Sequence, residues 1–542
     1  MATEFPTQSY LPAVETTPLV ERTIGQALAE RAARHPERLA VVGRSHDGTD
    51  QRLTYRELYD EALRTAGALL RLAAPGDFVA LWAPNVIEWP VIEYGAALAG
   101  VVLVAVNPVF RSKELEYVLR NSGAVALIHA DVSRDYGMAA VAADVSARVP
   151  SIRTVVSLSD RSRWQLAEGS NVDESTLGPF SRDSSAPAML QYTSGTTGEP
   201  KGVLLRHRSL LNNAKLTVEA MGAADGFVAI NPLPMFHTAS CVIGTLGPMW
   251  MTGTVVLINT FDPDVVLDIM EAEQATVLFF VPTVLGALLE AARSRESVRQ
   301  LQGILGGAAV VPSSMIAAAK RVFGASVHNV FGQTELSPVI TVVRPDDSPE
   351  DAAQTVGRPM LHTEIKVVEI VSGATVPRES EGEICARGYS QMIEYLGKPI
   401  DTAKAVDADG WMHTGDLGMI DDRGYVWVTG RLKDLIIRGG DNIAPAEVES
   451  RLVEHDLVFQ AAVVGIPDEK WGEVVAAVLI LRGEPTAELA AELAKFCRSA
   501  MSPFKTPTMW LRATEYPMTV SGKVQKFILR DQVVHGKYSP IR

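Results

Sequence analysis

Cysteine is scarce in this chain: three in 542 residues, Cys241, Cys385 and Cys497. They lie far apart with no Cys-x-x-Cys pair, so the sequence indicates neither a disulfide framework nor a thiolate metal site, and a reducing cytoplasm is the expected setting. Positive charge is in deficit. Against 64 Asp and Glu stand 50 Lys and Arg, a formal net charge of −14, which argues against non-specific nucleic-acid binding and against a role on anionic membranes. Long apolar runs are also missing. The longest, from Val91 to Val106, is interrupted by Glu93 and is too short for a membrane span. Met1-Ala2-Thr3-Glu4 shows no basic region ahead of an apolar core, and the final Ser-Pro-Ile-Arg carries no peroxisomal or retention address, so no targeting signal is expected. No internal repeat or heptad is evident. What remains, 47% hydrophobic and 21% charged, suits a soluble globular protein, and the length implies two or more domains.

Strand and helix signals alternate through the first half of the chain. Thr54 and Glu57 form a capping-box pattern ahead of an amphipathic run with Leu58, Ala62, Leu63, Ala66, Leu69 and Leu70 on one face. Pro75-Gly76 ends it. Residues 78–81 read as a buried strand, 88–99 as a helix, 101–106 as a β-branched strand, 112–119 as a helix and 124–129 as a strand. The alternation returns at 255–258, 263–273, 276–281 and 283–292. Such an order implies parallel sheets covered on both faces. Residues 160–187, rich in Ser, Arg, Asp and Gly, read as an exposed connector. From about residue 355 short strands (364–370, 382–386) suggest a smaller β-rich unit; after Gly430-Arg431 a βαβ texture resumes, with a helix at 446–453 and a strand at 461–465. The expected class is α/β: a large N-terminal domain of parallel α/β sheets plus a small β-barrel-like unit, and a smaller α+β C-terminal domain.

The richest chemistry lies in Tyr-Thr-Ser-Gly-Thr-Thr-Gly-Glu-Pro-Lys-Gly-Val, residues 192–203. Gly195, Gly198 and Gly202 allow positive φ and close backbone approach. Successive N–H groups can then form an anion nest, with Thr193, Ser194, Thr196 and Thr197 as hydroxyl donors and Lys201 as the charge. The spacing departs from the ordinary nucleotide-kinase loop, because Pro200 precedes the lysine and Gly202 follows it. Further along, Phe331-Gly332-Gln333-Thr334-Glu335 follows an apolar strand. It offers a flat face for a base, a hydroxyl for phosphate and, in Glu335, a hard oxygen ligand for Mg²⁺. In His413-Thr414-Gly415-Asp416 a carboxylate is set to accept the hydroxyls of a ribose. Arg431 can reach ribose or phosphate, and Gly439-Gly440 permits a backbone to pass close to a second ligand. Ser521-Gly522-Lys523 puts a lysine on a tight turn near the C-terminus.

This ordered set resembles the adenylate-forming superfamily: acyl- and aryl-CoA synthetases, peptide-synthetase adenylation domains and firefly-type luciferases. The match covers nearly all of residues 20–530. It is most similar to AMP-forming acyl-CoA synthetases through Asn107-Pro108, Arg111, Pro234-Met235-Phe236-His237, Val281-Pro282-Thr283 and Arg438-Gly439-Gly440-Asp441-Asn442. The resemblance implies two half-reactions. A carboxylate attacks the α-phosphate of Mg·ATP to give an acyl-adenylate and pyrophosphate, and a thiol, from CoA or a carrier protein's phosphopantetheine, then displaces AMP.

The same resemblance implies roles for residues. Ser194–Lys201 orient the β- and γ-phosphates, Thr334 contacts the α-phosphate, Glu335 holds Mg²⁺, Asp416 and Arg431 bind the ribose side, and Lys523 bridges carboxylate and α-phosphate. Lys433 falls at the hinge, giving domains 1–430 and 434–542 joined through 431–433, the latter domain mobile. His237, Thr238, Ala239, Phe280, Gly306, Gly307, Ala308 and Val339 are implied in the acyl pocket, and Gly439 and Gly440 in the thiol channel. Three departures stand out: Phe279-Phe280, where relatives often carry a small residue; Glu394, where they usually carry glycine; and Ala444, in place of a common aromatic. An inward Phe280 shortens the tunnel and favours a small or compact acid. Other readings compatible with these residues are a stand-alone enzyme loading a carrier protein, activation of a small anion such as nitrite with transfer to an amine, and a non-catalytic nucleotide binder. A homodimer is compatible with all of them.

Overall fold

The structure, a computed structural model, describes residues 7–170, 172, 177–178, 182–193, 200–307, 311–439, 441–486, 488–518 and 524–541. Chain contacts divide it into two units: Pro12–Glu364 with Ala386–Met412, and Met1–Leu11 with Ile365–Cys385 and His413–Arg542.

The larger unit is built on two sheets whose centres are parallel. The seven-stranded sheet runs Glu394–Tyr395, Lys201–Arg206, Pro187–Thr193, Val102–Val106, Phe78–Trp82, Ala126–His129, Thr154–Ser157. From Pro187–Thr193 to Thr154–Ser157 all neighbours are parallel. Val102–Val106 is a continuous buried apolar run, as a strand sealed on both faces requires. Helix Tyr55–Leu72 starts where the sequence predicts: Thr54 Oγ1 accepts the Glu57 N–H and Glu57 returns a carboxylate oxygen to the Thr54 N–H at 2.8 Å. Helix Glu88–Ala99 is buried on every side and stops at Gly100, whose φ is 69°, the left-handed cap that glycine adopts without penalty.

The nine-stranded sheet runs Arg358–Pro359, Val339–Val342, Ser326–Gly332, Gly303–Gly307, Val277–Phe280, Val228–Asn231, Thr254–Leu257, Leu39–Arg44, Asp50–Thr54. One face is sealed by helices Pro263–Ala272, Pro282–Ala291 and Ser313–Phe323. Val266, Leu285, Leu288 and Phe323 of these helices pack with Ile230, Leu278, Phe280 and Ile304 of the strands. The stretch expected to be an exposed connector holds a helical turn, Arg161–Trp164, whose Trp164 is buried and donates its indole N–H to the Leu158 carbonyl.

The second unit contains a five-stranded sheet in the order Tyr10–Leu11, Thr363–Val368, Gly382–Gly388, Met412–Ile420, Val426–Arg431. Its C-terminal part holds a sheet built on the long antiparallel pair Val458–Asp468 and Gly472–Leu481. Gly472–Leu481 pairs in parallel with Met509–Arg512 across helix Leu489–Arg498. Helix Pro445–Val453 falls where the sequence predicts. No described helix is long and apolar enough to cross a membrane.

Candidate active site

The antiparallel strands Pro187–Thr193 and Lys201–Arg206 form a stem, and at its open end Thr193 stands opposite Lys201. Ser194, Gly195, Thr196, Thr197 and Gly198, which follow Thr193, lie outside the described residues, as do Ala308, Gly440 and Lys523. Lys201 Nζ lies 3.3 Å from an Asp401 carboxylate oxygen and 4.7 Å from the centre of the Tyr395 ring. Both lysine and aspartate keep about a third of their side chains exposed, so the pair is weak and an incoming phosphate can take the lysine over.

Tyr395 donates its phenol hydrogen to Glu335 Oε1 at 2.7 Å. Main-chain bonds fix this arrangement. Glu394–Tyr395 pairs with the outer edge of Lys201–Arg206, the Leu396 N–H donates to the Gly202 carbonyl, and the Met392 N–H donates to the Glu335 carbonyl, both at 2.8 Å. Three segments distant in sequence are thus held by backbone rather than by side-chain reach. Burial first, then the charge on Glu335, pushes the Tyr395 phenol well above its ordinary range. It therefore remains a proton donor to the carboxylate at neutral pH. Neither Tyr395 nor Asp401 carries a motif in the sequence, and no local signal marks them.

Strand Ser326–Gly332 delivers the base and phosphate candidates. Phe331 and Gly332 end the strand, Gln333 follows, and Thr334–Leu336 forms a tight helical turn. Phe331, Gly332, Gln333 and Thr334 are partly exposed, whereas Glu335 is buried. Phe331 is thus available to a ligand and is not a sealed core residue. A few residues on, Val339 is buried and pinned at both backbone groups by the Asn213 side chain, which accepts its N–H at 3.0 Å and donates to its carbonyl at 2.7 Å.

Among the other pocket candidates, His237 is half-buried against Phe236, ring centres 4.3 Å apart. Thr238 is buried, and Ala239 opens a π-helical turn, Ala239–Ile243. Gly306 and Gly307 end a central strand with no room for a side chain: a Cβ at Gly306 meets the Phe280 carbonyl at 1.9 Å, and one at Gly307 meets the Val330 carbonyl at 2.3 Å. Phe280 corrects the expectation placed on it. Its ring is buried in the layer between the nine-stranded sheet and its three covering helices, so it fills that core, and the argument from this ring for a compact acid loses its basis.

In the second unit, Asp416 and Arg431 are direct cross-strand partners, with Arg431 Nε donating to Asp416 Oδ1 at 2.7 Å. The Asp416 side chain is buried and that of Arg431 is 41% exposed. Thr414 sets the turn, its Oγ1 donating to the Ile384 carbonyl at 2.6 Å and accepting the Asp416 N–H at 3.1 Å. Lys433 lies exposed on the single turn Leu432–Asp434. Gly439 has φ 63° and donates its N–H to the Trp471 carbonyl at 2.7 Å, in a left-handed turn where a Cβ would come within 2.9 Å of the Trp471 ring.

The family profile of AMP-binding enzymes matches residues 28–396, and that of the AMP-binding enzyme C-terminal domain matches residues 447–523. The chain belongs to the AMP-binding enzyme family. It is 36% identical over 543 residues to YngI of Bacillus subtilis, whose name provisionally makes it an acyl-CoA synthetase; the alignment covers 95% of this chain and 98% of the relative. It is 33% identical over 556 residues to the human mitochondrial medium-chain acyl-CoA ligase ACSF2, covering 97% and 90% of the two chains. Among solved structures, the o-succinylbenzoate CoA synthetase of Bacillus subtilis, bound to its acyl-adenylate intermediate, superposes with a TM-score of 0.81 at 28% identity, covering 95% of this chain and 99% of that one. This AMP-binding enzyme is an adenylate-forming ligase of the acyl-CoA synthetase type. It uses ATP to convert a carboxylic acid to its acyl-adenylate and then forms the CoA thioester.

Proposed function

We propose that the carboxylic acid this chain activates is an open-chain acid of medium length. The length range is supported by the name of the human relative, a medium-chain acyl-CoA ligase. The observation that carries the catalytic reading is the backbone-fixed set of Lys201, Tyr395 and Glu335 at the foot of the glycine-rich loop.

Adenylation is slow unaided because an anionic nucleophile meets an anionic phosphate, so the protein must neutralise charge and align the attack. Thr193, Ser194, Thr196, Thr197 and Lys201 take the β- and γ-phosphates, and Thr334 takes the α-phosphate. Phe331 stacks on the base, while Asp416 and Arg431 hold the ribose. Glu335 suits Mg²⁺: it is a hard oxygen donor, buried, with one oxygen already oriented by the Tyr395 phenol. When bound, Mg²⁺ neutralises phosphate charge; Glu335 anchors it and Tyr395 fixes the carboxylate's rotamer. Lys523 bridges the carboxylate and the α-phosphate as the mixed anhydride forms. Turning about Lys433 withdraws Lys523 and brings the Gly439-Gly440 turn to the pantetheine arm. His237, Thr238, Ala239 and Val339 contribute to the acyl pocket. The three cysteines are buried and none is in a disulfide, which supports a reducing compartment, and we take it to be the cytoplasm.

The test is ATP–pyrophosphate exchange across acids from one carbon to long chains, with benzoates, cinnamates and nitrite alongside, followed by CoA, a carrier protein and an amine as acceptors. Exchange strongest with medium-chain acids and thioester formation with CoA are expected. Exchange confined to nitrite, or transfer only to a carrier protein, would overturn the substrate or acceptor assignment.

A further inference from the structure

We propose that Glu383, Cys385 and His413 form a binding site for Zn²⁺ or a closely similar divalent cation. The cysteine and histidine are separated by 28 residues, well outside the short C-x2-4-C and H-x3-5-H spacings by which structural zinc sites are read from sequence. The fold removes that separation. Glu383 and Cys385 are two apart on strand Gly382–Gly388 and so project from the same face. His413 sits near the start of the adjacent strand, Met412–Ile420. One ligand atom from each of the three lies within 4.8 Å of the others. His413 Nδ1 is 2.7 Å from Glu383 Oε2 and 3.5 Å from Cys385 Sγ.

Tetrahedral coordination by Zn²⁺ sets neighbouring N, O and S ligands about 3.3–3.7 Å apart. The Sγ–Nδ1 distance already falls there, and the Nδ1–Oε2 distance needs to widen by less than about 1 Å. The Gly415 N–H donates to Glu383 Oε1 at 3.0 Å, which leaves Oε2 turned toward the histidine. This is the outer-shell support that metal-ligating carboxylates generally have. Cys385 is buried, while His413 and Glu383 keep 29% and 14% of their side chains exposed, enough for access and for a water as fourth ligand.

A His–Glu hydrogen bond alone accounts for two members. The thiol in van der Waals reach of the same ring nitrogen is what points to a metal. Thiolate and imidazole together select Zn²⁺ and its neighbours and disfavour Mg²⁺ and Ca²⁺. On binding, the Cys385 thiol gives up its proton to solvent, the imidazole hydrogen moves from Nδ1 to Nε2, and thiolate and carboxylate together balance the charge of the ion.

The experiment uses the full chain after treatment with a chelator. Co²⁺ is titrated as a spectroscopic probe and then displaced with Zn²⁺, and proton release is followed in weak buffer. One thiolate-to-cobalt charge-transfer band per chain, one proton released per ion and displacement of the band by Zn²⁺ are expected. The band should vanish in Cys385→Ser and in His413→Asn and persist in Cys497→Ala. Absence of the band in the unsubstituted chain overturns the site. So does a band that survives Cys385→Ser, or one lost in Cys497→Ala with the far-ultraviolet dichroism unchanged.

Discussion

One tyrosine stands between Lys201 and Glu335 at the foot of the glycine-rich loop. Tyr395 lies under Lys201 and donates to Glu335. A hydrogen bond to a charged group contributes about 1.5–3 kcal/mol. Tyr395→Phe is therefore expected to lower kcat/KM for ATP by about 10–100-fold, measured by pyrophosphate exchange. Unchanged kinetics with a lowered melting temperature would make the bond structural only. Lys523→Ala should reduce adenylation by on the order of 10²–10³, typical for one lost transition-state donor; near-normal exchange would remove it from the mechanism. Lys201 and Glu335 were legible in the sequence because each stands in a dense local pattern of glycine, hydroxyl and charge. Tyr395 was not, since its position is made by strand pairing with residues nearly 200 away. Phe280 misled for a related reason. Adjacent aromatics on a strand face opposite sides, and sequence alone does not say which side three helices will seal.

At the scale of single elements, the turn Leu432–Asp434 is the one whose geometry the proposed cycle must change. A hinge is a backbone event, so constraining φ there affects motion more than chemistry. Lys433→Pro is expected to slow thioester formation at least tenfold more than adenylation, resolved by assaying the half-reactions separately; equal losses would count against the hinge. Elements with local signals were readable. The Thr54–Glu57 capping box starts Tyr55–Leu72, and the apolar stretch 88–99 forms a helix over those residues. Arg161–Trp164 was hidden, because three of its four residues are polar and only the distant packing of Trp164 makes a turn there stable. The short strand Tyr10–Leu11, which pairs with Thr363–Val368, was likewise invisible, its partner being more than 350 residues away.

For the molecule as a whole, acid stability is tied to His207. It is buried at the start of helix His207–Ala220, where its Nδ1 accepts the Ile24 N–H at 3.4 Å. Burial pushes its pKa down to about 4, with Asp183 opposing only in part. The unfolded chain, with a value near ~6.5, takes up a proton that the folded chain refuses. Stability from this group is complete above roughly pH 6.5 and is lost as pH falls toward about 4, by up to about 3 kcal/mol. His207→Gln should flatten the melting temperature between those pH values, which calorimetry at several pH values would reveal. A slope left unchanged would assign the acid sensitivity to other groups.

The stem beneath the glycine-rich loop carries a further consequence for how this enzyme can vary. Pro187–Thr193 is zipped to Val102–Val106 on one side, and Lys201–Arg206 to Glu394–Tyr395 on the other. Neither rail can slide by one residue without turning its side chains to the opposite face of the sheet. A residue gained or lost between Thr193 and Lys201 therefore has to be absorbed inside the loop, because passing it into either rail would turn Lys201 toward the opposite face of the sheet.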